Sequence, residues 1–566
     1  MLADRSQEML RMAISEARKR NWLSLQVLLV FIAWLFLCWL HWDNDGLWYG
    51  DAPRHAANGL FWKDYLLSLS FDPKGYALSY FARYPVIAPT AYPPAFYFLE
   101  AVSFGVFGPS PYIAKGLVLG FTLMAALYTT AWCRRWIAED AGWAGALFVL
   151  LPGVIRWSHA IMLNVPTVAL GIGALYHLRR WLESPPASPF WRHLYIGAAL
   201  AVLSILTYLT SCVLLLIAGI WLFVECRWRL LWSRRTLTVL VVSALALLPW
   251  ALVVLEFERN RALWATGSAD HFARVLDWPW AYYFKCFPGL FGWHILLLAV
   301  FGIVGGMLIR RWRHETILLS IMMVVCYGYF SYVPAKEDRY ILLISMPIAI
   351  FCLLGLISTI HFIGRLARIS PHWARTTIRV TIVMLFIGQA WFASKVSVMS
   401  VSGYRQLMAY IEKIAPDEPV FYDGKYHATF TFYIQAGDPD YRRRVVLGRK
   451  LLYSESMNFA TQEFVSSPED VVEALQKRGG CRWVTVSDQS DNQWITAPCY
   501  LREAVKGPKF ELVKTFPITM TFENSVEKTN VCIYRFLVPI EPVDEVDMPL
   551  FSLGRNIHYQ IKPIRH

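Results

Sequence analysis

Hydrophobic positions in this chain gather into long apolar segments that are separated by short polar stretches. An apolar helix needs about 20 residues to cross the hydrocarbon core of a bilayer, which is about 30 Å thick. Segments that reach or approach this length cover residues 22–41, 93–108, 111–133, 142–157, 164–182, 194–209, 210–224, 236–256, 287–309, 316–333, 340–363 and 380–398. The pattern predicts an all-α polytopic membrane domain over residues 22–398, preceded by an N-terminal tail over residues 1–21.

The pattern changes after residue 398. Short β-rich runs at residues 419–422, 444–447, 482–486 and 531–536 alternate with helical stretches such as residues 467–477. Alternating short strands and helices are typical of a compact α/β unit. The sequence therefore predicts a C-terminal soluble α/β domain over residues 399–566.

Composition and charge support a membrane location. Of the 566 residues, 56% are hydrophobic and only 17% are charged, which is too apolar for a soluble globular protein. The formal net charge of +13 comes largely from short basic clusters between apolar segments, as at residues 225–235, 310–315 and 364–379. Such clusters mark cytoplasmic loops, so the positive charge indicates membrane topology and not a nucleic-acid partner.

The basic clusters also predict an orientation in the membrane. They place the N-terminus in the cytoplasm, and they place residues 257–286, residues 334–339 and everything after residue 399 outside. This arrangement requires an odd number of spans. Eleven spans result if the short segment 93–108 dips into the membrane without crossing it, and thirteen result if a long segment is split. The first apolar segment has no cleavage site behind it and is predicted to be retained.

The ten cysteines of the chain show no CxxC pair. They therefore indicate no metal site, and they allow at most one disulfide, among Cys481, Cys499 and Cys532.

Acidic residues cluster immediately after the first apolar segment, in the predicted external loop 42–92. Asp43, Asp45 and Asp51 stand where the chain leaves the bilayer, beside several aromatic residues. Carboxylates close to a membrane surface lose hydration, so their presence there suggests a catalytic base. The middle of the loop predicts an amphipathic helix with Pro53 in its first turn and an apolar face that lies on the membrane surface. The alternative to a catalytic role is that Asp51 only caps this helix and that Asp45 and Gly46 form a turn.

A series of short motifs follows a defined order along the chain. They are Asp51-Ala-Pro-Arg-His-Ala, Tyr92-Pro93-Pro94, Phe107-Gly108-Pro-Ser110, Leu151-Pro152 ahead of Trp157-Ser158-His159, and Lys336-Glu-Asp-Arg339-Tyr340. In order and topology they resemble the landmarks of the GT-C glycosyltransferases, over roughly residues 20–400. They are most similar to the family 39-like branch, which includes protein O-mannosyltransferases and the lipid A aminoarabinose transferase.

The resemblance implies an integral membrane glycosyltransferase of the GT-C type. Such enzymes move a sugar from a polyprenyl-phosphate donor to an acceptor hydroxyl on the external face, with inversion. Asp51 matches the family's aspartate and would be the general base. The residue after it departs from the family pattern, because Ala52 stands where an acid is usual. Asp43 or Asp45 could supply that second acid, and one of them could instead be the base.

The resemblance also implies which cations bind the donor phosphate. Lys336 and Arg339 match basic residues of the family's motif before a late helix, and fixed positive charge there would stabilise the departing phosphate. Arg54 and Arg83 are further candidates of the same kind. The alternative for all of them is an ion-paired or snorkelling loop.

Sugar or acceptor contacts are expected from Asn164, His55 and Tyr92. Asn164 stands where several relatives have a second acid, and an amide cannot replace a carboxylate as an anionic metal ligand. No metal site and no cofactor are therefore firmly predicted, although a divalent cation is not excluded. The loop 257–286, rich in charge and tryptophan, is a candidate roof over the site.

Two other functions fit parts of the sequence. A transporter or flippase of a lipid-linked glycan would also show many apolar helices and basic residues, but it would place its functional charges near mid-membrane. A noncatalytic assembly component would leave the early acidic loop unexplained. The partners expected from the resemblance are a polyprenyl-phosphate-linked sugar donor, membrane lipids, and a lipid, glycan or protein acceptor. The expected location is the bacterial inner membrane.

Overall fold

A computed structural model gives the three-dimensional structure of most of the chain. It describes residues 25–48, 50–88, 91–185, 190–262, 280–333, 336–368, 370–456, 459–489, 495–522, 525–543, 545–550 and 555–560. The predicted N-terminal tail over residues 1–21 and the central part of the predicted loop 257–286 lie outside the described residues.

Every apolar segment predicted from the sequence contains a helix. The helices of this region are α1 (Leu25–Trp39), α2 (Ala52–Ser68), α3 (Pro73–Arg83), α4 (Ala95–Phe107), α5 (Pro111–Trp136), α6 (Ala144–Val149), α7 (Pro152–Ser158), α8 (Asn164–Leu182), α9 (Trp191–Ile205), α10 (Val213–Val224), α11 (Arg234–Ala262), α12 (Ala281–Phe291), α13 (Trp293–Leu308), α14 (Arg310–Tyr332), α15 (Ser345–Leu366) and α16 (Pro371–Ala393). A 3₁₀ turn over Asp338–Ile344 leads directly into α15.

The helices are long and apolar enough to make this a multi-pass membrane protein. Among the described residues, five helices could cross a membrane by length and composition, or up to seven if each of two bent helix pairs forms one span. Four shorter apolar helices are α1, α4, α9 and the stretch Leu209–Val224. Helix α4 has 13 residues and rises only about 20 Å, which is less than the thickness of the hydrocarbon core. This length is in keeping with a segment that dips into the membrane.

Burial separates the central helix from the helices at the periphery. The first half of α15, from Ser345 to Ile357, is buried on all sides because neighbouring helices surround it. In contrast, α11 exposes leucines such as Leu245 and Leu252, and α16 exposes Met384 and Ile387. Apolar side chains on the outside of a helical bundle are what contact with lipid tails requires.

The C-terminal region is an α/β domain, as predicted. Its elements are β1 (Ser400–Ser402), α17 (Tyr404–Ile414), β2 (Val420–Asp423), α18 (His427–Ala436), β3 (Val445–Leu447), α19 (Gly448–Leu451), β4 (Tyr453–Ser456), β5 (Phe459–Glu463), α20 (Pro468–Ala474), β6 (Trp483–Ser487), α21 (Ala497–Ala504), β7 (Phe510–Phe522), β8 (Ser525–Phe536), β9 (Glu545–Leu550) and β10 (Arg555–Gln560). The fold class predicted from the sequence is therefore confirmed.

Six of these strands form one mixed sheet in the order β1-β7-β8-β6-β2-β3. Strand β2 runs parallel to both β3 and β6, whereas β7 and β8 form a long antiparallel hairpin. The sequence pattern predicted only the end of this hairpin, because polar residues such as Lys514 and Thr515 interrupt the apolar run of β7.

The α/β domain packs directly on the loop 42–92. Tyr433 of α18 donates a hydrogen bond to Asp45 (2.8 Å), and the amide of Gln435 donates to the carbonyl of Ala57 in α2 (3.1 Å). Tyr84 donates to Asp438 (2.7 Å). The interface is therefore both polar and specific.

This packing corrects the expectation for α2. The helix forms as predicted, but Ala56, Ala57, Leu60 and Phe61 are buried between α4 and α18. The face predicted to lie on a membrane surface is thus the face that contacts protein. A disulfide among the last three cysteines is also absent: all ten cysteines lie in the described part of the chain, and all are free.

Candidate active site

Asp51 occupies the N-cap position of α2, where Pro53 fixes the first turn. The backbone carbonyl of Asp51 accepts from the amide of His55 (2.9 Å) and so begins the helix. The side chain makes no capping hydrogen bond. The carboxylate therefore makes its contacts with other side chains, and 24% of the Asp51 side chain is exposed.

Two arginines and a tyrosine surround this carboxylate. Arg54 Nη1 lies 2.9 Å from Asp51 Oδ1, and Arg339 Nη2 lies 3.8 Å from Asp51 Oδ2. The hydroxyl of Tyr92 donates to the same Oδ2 across 3.5 Å. The structure thus brings together four of the residues that the sequence singled out, from three separate parts of the chain.

Arg339 is buried between aromatic rings. Its guanidinium carbon lies 5.4 Å from the ring centroid of Trp157 and 5.5 Å from that of Tyr340. A planar guanidinium stacks well on such rings. The neighbouring Asp338 pairs with Arg156 of α7 (3.4 Å), which ties the 3₁₀ turn to that helix. Arg339 is therefore held in a defined position.

A small, mostly apolar pocket with a cavity volume of about 20 Å³ lies beside Arg339. Its walls come from α8, α10, α14 and the 3₁₀ turn before α15, and they include Val168, Leu214 and Leu343. Asn164, at the start of α8, also lines the pocket. The structure therefore places a cation and an amide beside a small pocket that is lined largely by apolar side chains.

His55 lies one turn after Asp51 and is buried. Its Nδ1 and the hydroxyl of Tyr97 are 2.7 Å apart, and its ring lies 4.8 Å from that of Tyr92, centroid to centroid. Burial lowers the pKa of His55 to about 3, despite the opposing effect of the Asp51 charge. His55 is therefore neutral at physiological pH, and it supports Tyr92 by packing.

The structure does not bring Asp43 or Asp45 to this cluster. Asp45 accepts from the Leu47 amide (3.0 Å) and from Tyr433 (2.8 Å), and burial raises the pKa of its carboxyl. It anchors the α/β domain. Asp43 is exposed, and its backbone carbonyl accepts from Tyr112 (3.1 Å). Neither carboxylate is among the contacts that the structure gives Asp51.

Two of the four candidate cations are also engaged elsewhere. The ammonium of Lys336 donates to the carbonyls of Phe330 (3.1 Å), Ser331 (2.9 Å) and Val333, at the end of α14. Helix ends leave such carbonyls without partners and carry partial negative charge, which explains the attraction. Arg83 donates to the carbonyl of Tyr441 (2.7 Å) in the domain interface.

Metal ligands do not gather near Asp51. Within the described ranges, no three His, Cys, Asp or Glu side chains lie close enough together to hold a metal ion. The residue after Asp51, where the family resemblance would lead us to expect an acid, is Ala52, and it is fully buried.

Sequence reasoning missed the residues that hold Arg339 in place. Trp157 stands in the motif Trp157-Ser158-His159, but the sequence alone indicates no role for Trp157 or for Arg156. Both residues lie on α7, more than 180 positions before Asp338 and Arg339 in the sequence. Only their proximity in space reveals the contact, although an arginine and a tryptophan together near a membrane segment are a usable signal.

Comparison with known proteins shows which solved structures have a similar architecture. No protein-family model matches the sequence, and no curated protein matches it either. Solved structures do match. One is ArnT from Cupriavidus metallidurans bound to undecaprenyl phosphate, with a TM-score of 0.55 and 16% identity over 92% of this chain and 99% of that one.

A second is the archaeal oligosaccharyltransferase AglB from Archaeoglobus fulgidus, in complex with an inhibitory peptide and a dolichol-phosphate. Its TM-score is 0.51, with 12% identity over 82% of this chain and 69% of that one. Both structures belong to the GT-C superfamily. Taken with the helical membrane region, the loop that carries Asp51 and the C-terminal α/β domain, these matches show that this chain has the fold of the GT-C glycosyltransferases.

Proposed function

We propose that this protein is an integral membrane glycosyltransferase. It transfers a sugar from a polyprenyl-phosphate donor to an acceptor hydroxyl, with inversion, and Asp51 acts as the general base. The observation that carries this proposal is the contact between Asp51 and Arg339 (3.8 Å), because it joins a candidate base to a cation that lines an apolar pocket.

The donor follows from the chemistry of that pocket. A polyprenyl-phosphate sugar has one negatively charged phosphate, which matches the guanidinium of Arg339, and an apolar tail, which matches the apolar character of the side chains beside it. The similar structures of ArnT and AglB were solved with undecaprenyl phosphate and dolichol-phosphate, respectively. These likenesses support a lipid-linked donor for this chain.

The proposed reaction has one displacement step. The acceptor hydroxyl gives its proton to Asp51 while its oxygen forms a bond to the anomeric carbon of the donor sugar. The bond between that carbon and the phosphate oxygen breaks, and the lipid phosphate leaves with the electron pair. Negative charge grows on the phosphate as it leaves, so Arg339 and Arg54 would stabilise the transition state more than the ground state.

We further propose that the reaction takes place outside the cytoplasm, at the bacterial inner membrane. The proposal combines three parts: a cytoplasmic tail over residues 1–21, the membrane catalytic domain over residues 22–398 and an external domain over residues 399–566. It is supported by the basic clusters at residues 225–235, 310–315 and 364–379, which favour the cytoplasmic side.

The test is turnover by purified protein. Candidate undecaprenyl-phosphate sugars are supplied with a mixture of acceptors, and release of undecaprenyl phosphate is measured. We expect Asp51→Asn to lower kcat by about 10²–10⁴-fold, because an amide cannot accept the proton. The matched control is Asp72→Asn in the same loop, where the Asp72 side chain caps α3 and asparagine caps equally well. Equal turnover by wild type and Asp51→Asn would refute the role of Asp51.

A further inference from the structure

A second and larger cavity lies at the other end of the helical bundle from Arg339. Its volume is about 380 Å³, within the range of about 300–1,000 Å³ that is usual for ligand sites. Helix α15 connects the two ends, because it starts directly after the 3₁₀ turn of Arg339 and its last turns line the cavity. Its 22 residues rise about 33 Å, close to the thickness of the hydrocarbon core. The cavity therefore lies at the opposite membrane face from Arg339.

Three helix ends meet at this cavity. Helix α14 begins there, with Arg311 and Trp312 in its first turn, and α16 begins there with Ala374 and Arg375 near its start. Helix α15 ends there, with Arg365 in its last turn. The start of a helix carries partial positive charge and its end carries partial negative charge. Two helix starts against one helix end therefore add to the positive charge of the guanidinium groups.

The charged side chains on the walls are mainly cations. Arg311, Arg365 and Arg375 line the cavity, and Asp140 is the one carboxylate among its described lining residues. Arg311 and Arg365 are exposed, and the described part of the chain provides neither of them with an ion pair. A guanidinium can donate two parallel hydrogen bonds to a phosphate, and a carboxylate can accept one from a hydroxyl group. The walls therefore suit a phosphate ligand that also carries hydroxyl groups.

Apolar side chains beside the arginines favour a lipid over a soluble anion. Phe362, Ile363 and Leu366 lie in the last turns of α15 around Arg365, and each is more than half exposed. Trp373, in the first turn of α16, is exposed to a similar degree. Exposed apolar residues of a membrane protein contact acyl chains, and tryptophan prefers the interfacial layer. Basic pockets between membrane helices are known to bind anionic headgroups.

We propose that this cavity binds the headgroup of an anionic phospholipid with hydroxyl groups, such as phosphatidylglycerol. Arg311 and Arg365 bind its phosphate, and its acyl chains lie along Phe362 and Leu366. The bound lipid joins the ends of α14, α15 and α16, so it stabilises the folded protein. In the proposed orientation of the chain, this lipid belongs to the cytoplasmic leaflet. The site does not depend on Asp51 or on sugar transfer, so its failure is distinct from a failure of the proposed function.

Native mass spectrometry of the full chain in detergent measures lipid binding directly. The probes are dioleoyl phosphatidylglycerol, which is anionic, dioleoyl phosphatidylcholine, which has the same chains but no net charge, and glycerol 3-phosphate, which is soluble. We expect wild type to bind one phosphatidylglycerol at least tenfold more tightly than phosphatidylcholine. The double variant Arg311→Gln with Arg365→Gln should lose this difference, and phosphatidylglycerol should raise its melting temperature less than that of wild type.

The matched control is Arg310→Gln with Arg368→Gln. It removes the same charge from exposed positions at the same membrane face that are not among the residues lining the cavity. Its affinity for phosphatidylglycerol should equal that of wild type. The conservative variant Arg311→Lys with Arg365→Lys should keep most of the affinity, because an ammonium also attracts phosphate.

Three results would overturn the proposal. The first is equal affinity of wild type and of the Arg311 and Arg365 glutamine variant for phosphatidylglycerol. The second is an equal loss in the matched control, which would show general attraction to a basic surface instead of binding in the cavity. The third is binding of glycerol 3-phosphate as tight as that of the lipid and dependent on the same two arginines, which would assign the cavity to a soluble anion.

Discussion

At the scale of single residues, the candidate site depends on how arginines are held. Arg339 is buried, stacked between Trp157 and Tyr340, and 3.8 Å from Asp51. Arg54 is more exposed and pairs with the other carboxylate oxygen (2.9 Å). Arg339 is therefore the more closely held of the two cations beside Asp51.

Buried His55 makes the stability of this site depend on pH. Its pKa is about 3 in the folded protein and about 6.5 in an unfolded chain, so the unfolded state binds a proton first as the pH falls. The contribution of His55 is therefore complete above about pH 6.5, and it is lost below that value at roughly 1.4 kcal/mol per pH unit.

We expect His55→Gln to reduce the fall in melting temperature between pH 7 and pH 5, because glutamine does not take up a proton and can still bond to Tyr97. Thermal unfolding in detergent at several pH values measures this. The control is His361→Gln, at an exposed position of α15, which should keep the slope of wild type. A wild-type slope in His55→Gln would contradict a neutral, buried His55.

At the scale of elements, the membrane domain depends on a close crossing of α13 and α15. A Cβ atom on Gly302 would lie 1.8 Å from the carbonyl oxygen of Phe351, and one on Gly355 would lie 1.9 Å from that of Leu298. Small residues allow such close approach of helix backbones in membranes. The buried α15 follows the 3₁₀ turn of Arg339, so this crossing also supports the site.

Gly302→Ala should therefore force the two helices apart. We expect a melting temperature in detergent at least several degrees below that of wild type, with a loss of about 2 kcal/mol or more from overpacking. Gly388→Ala in α16 is the matched control, because no atom lies within 4 Å of the Cβ position there. If the two variants had equal melting temperatures, the crossing would not be as close as described.

Helix α2 shows what an element's sequence leaves open. Its length, its proline in the first turn and its apolar face are local properties, and all three are present in the structure. Which surface covers that face is not a local property. Residues more than 350 positions away, such as Gln435 of α18, reach the helix and replace the expected membrane surface.

At the scale of the whole molecule, the two domains form one packed unit. Asp45, Tyr84 and Ala57 all bond to the α/β domain, and the buried core continues from the membrane helices into α18. Only residues 394–399 separate α16 from β1. These contacts hold the α/β domain in a fixed position close to the loop that carries Asp51.

Native cysteines allow the proposed orientation to be tested without new ones. Cys499 is exposed on α21, and Cys226 is exposed in the basic stretch after α10. In intact spheroplasts, we expect a membrane-impermeant maleimide to label Cys499, and to label Cys226 only after permeabilisation. Labelled sites are identified by peptide mass spectrometry.

Cys499→Ser and Cys226→Ser are the matched controls for the labelling, since each removes one exposed thiol and leaves the other. Labelling of Cys226 in intact spheroplasts, together with protection of Cys499, would reverse the orientation and would move the candidate site to the cytoplasmic face.

The sequence by itself determined the class of this protein and the main parts of its fold. Apolar length, basic clusters and the change of pattern after residue 398 are local, so the membrane helices and the α/β domain could be predicted from them. The motifs around Asp51 and Arg339 are also local, and the structure brings these two residues together.

The tertiary structure decided which charged residues share the site. It places the Lys336 ammonium at the end of α14 and Asp45 beside Tyr433, while it brings Trp157 to Arg339. The physical reason is that a charged side chain takes the partner that compensates its lost hydration, and that partner is defined only when distant segments pack.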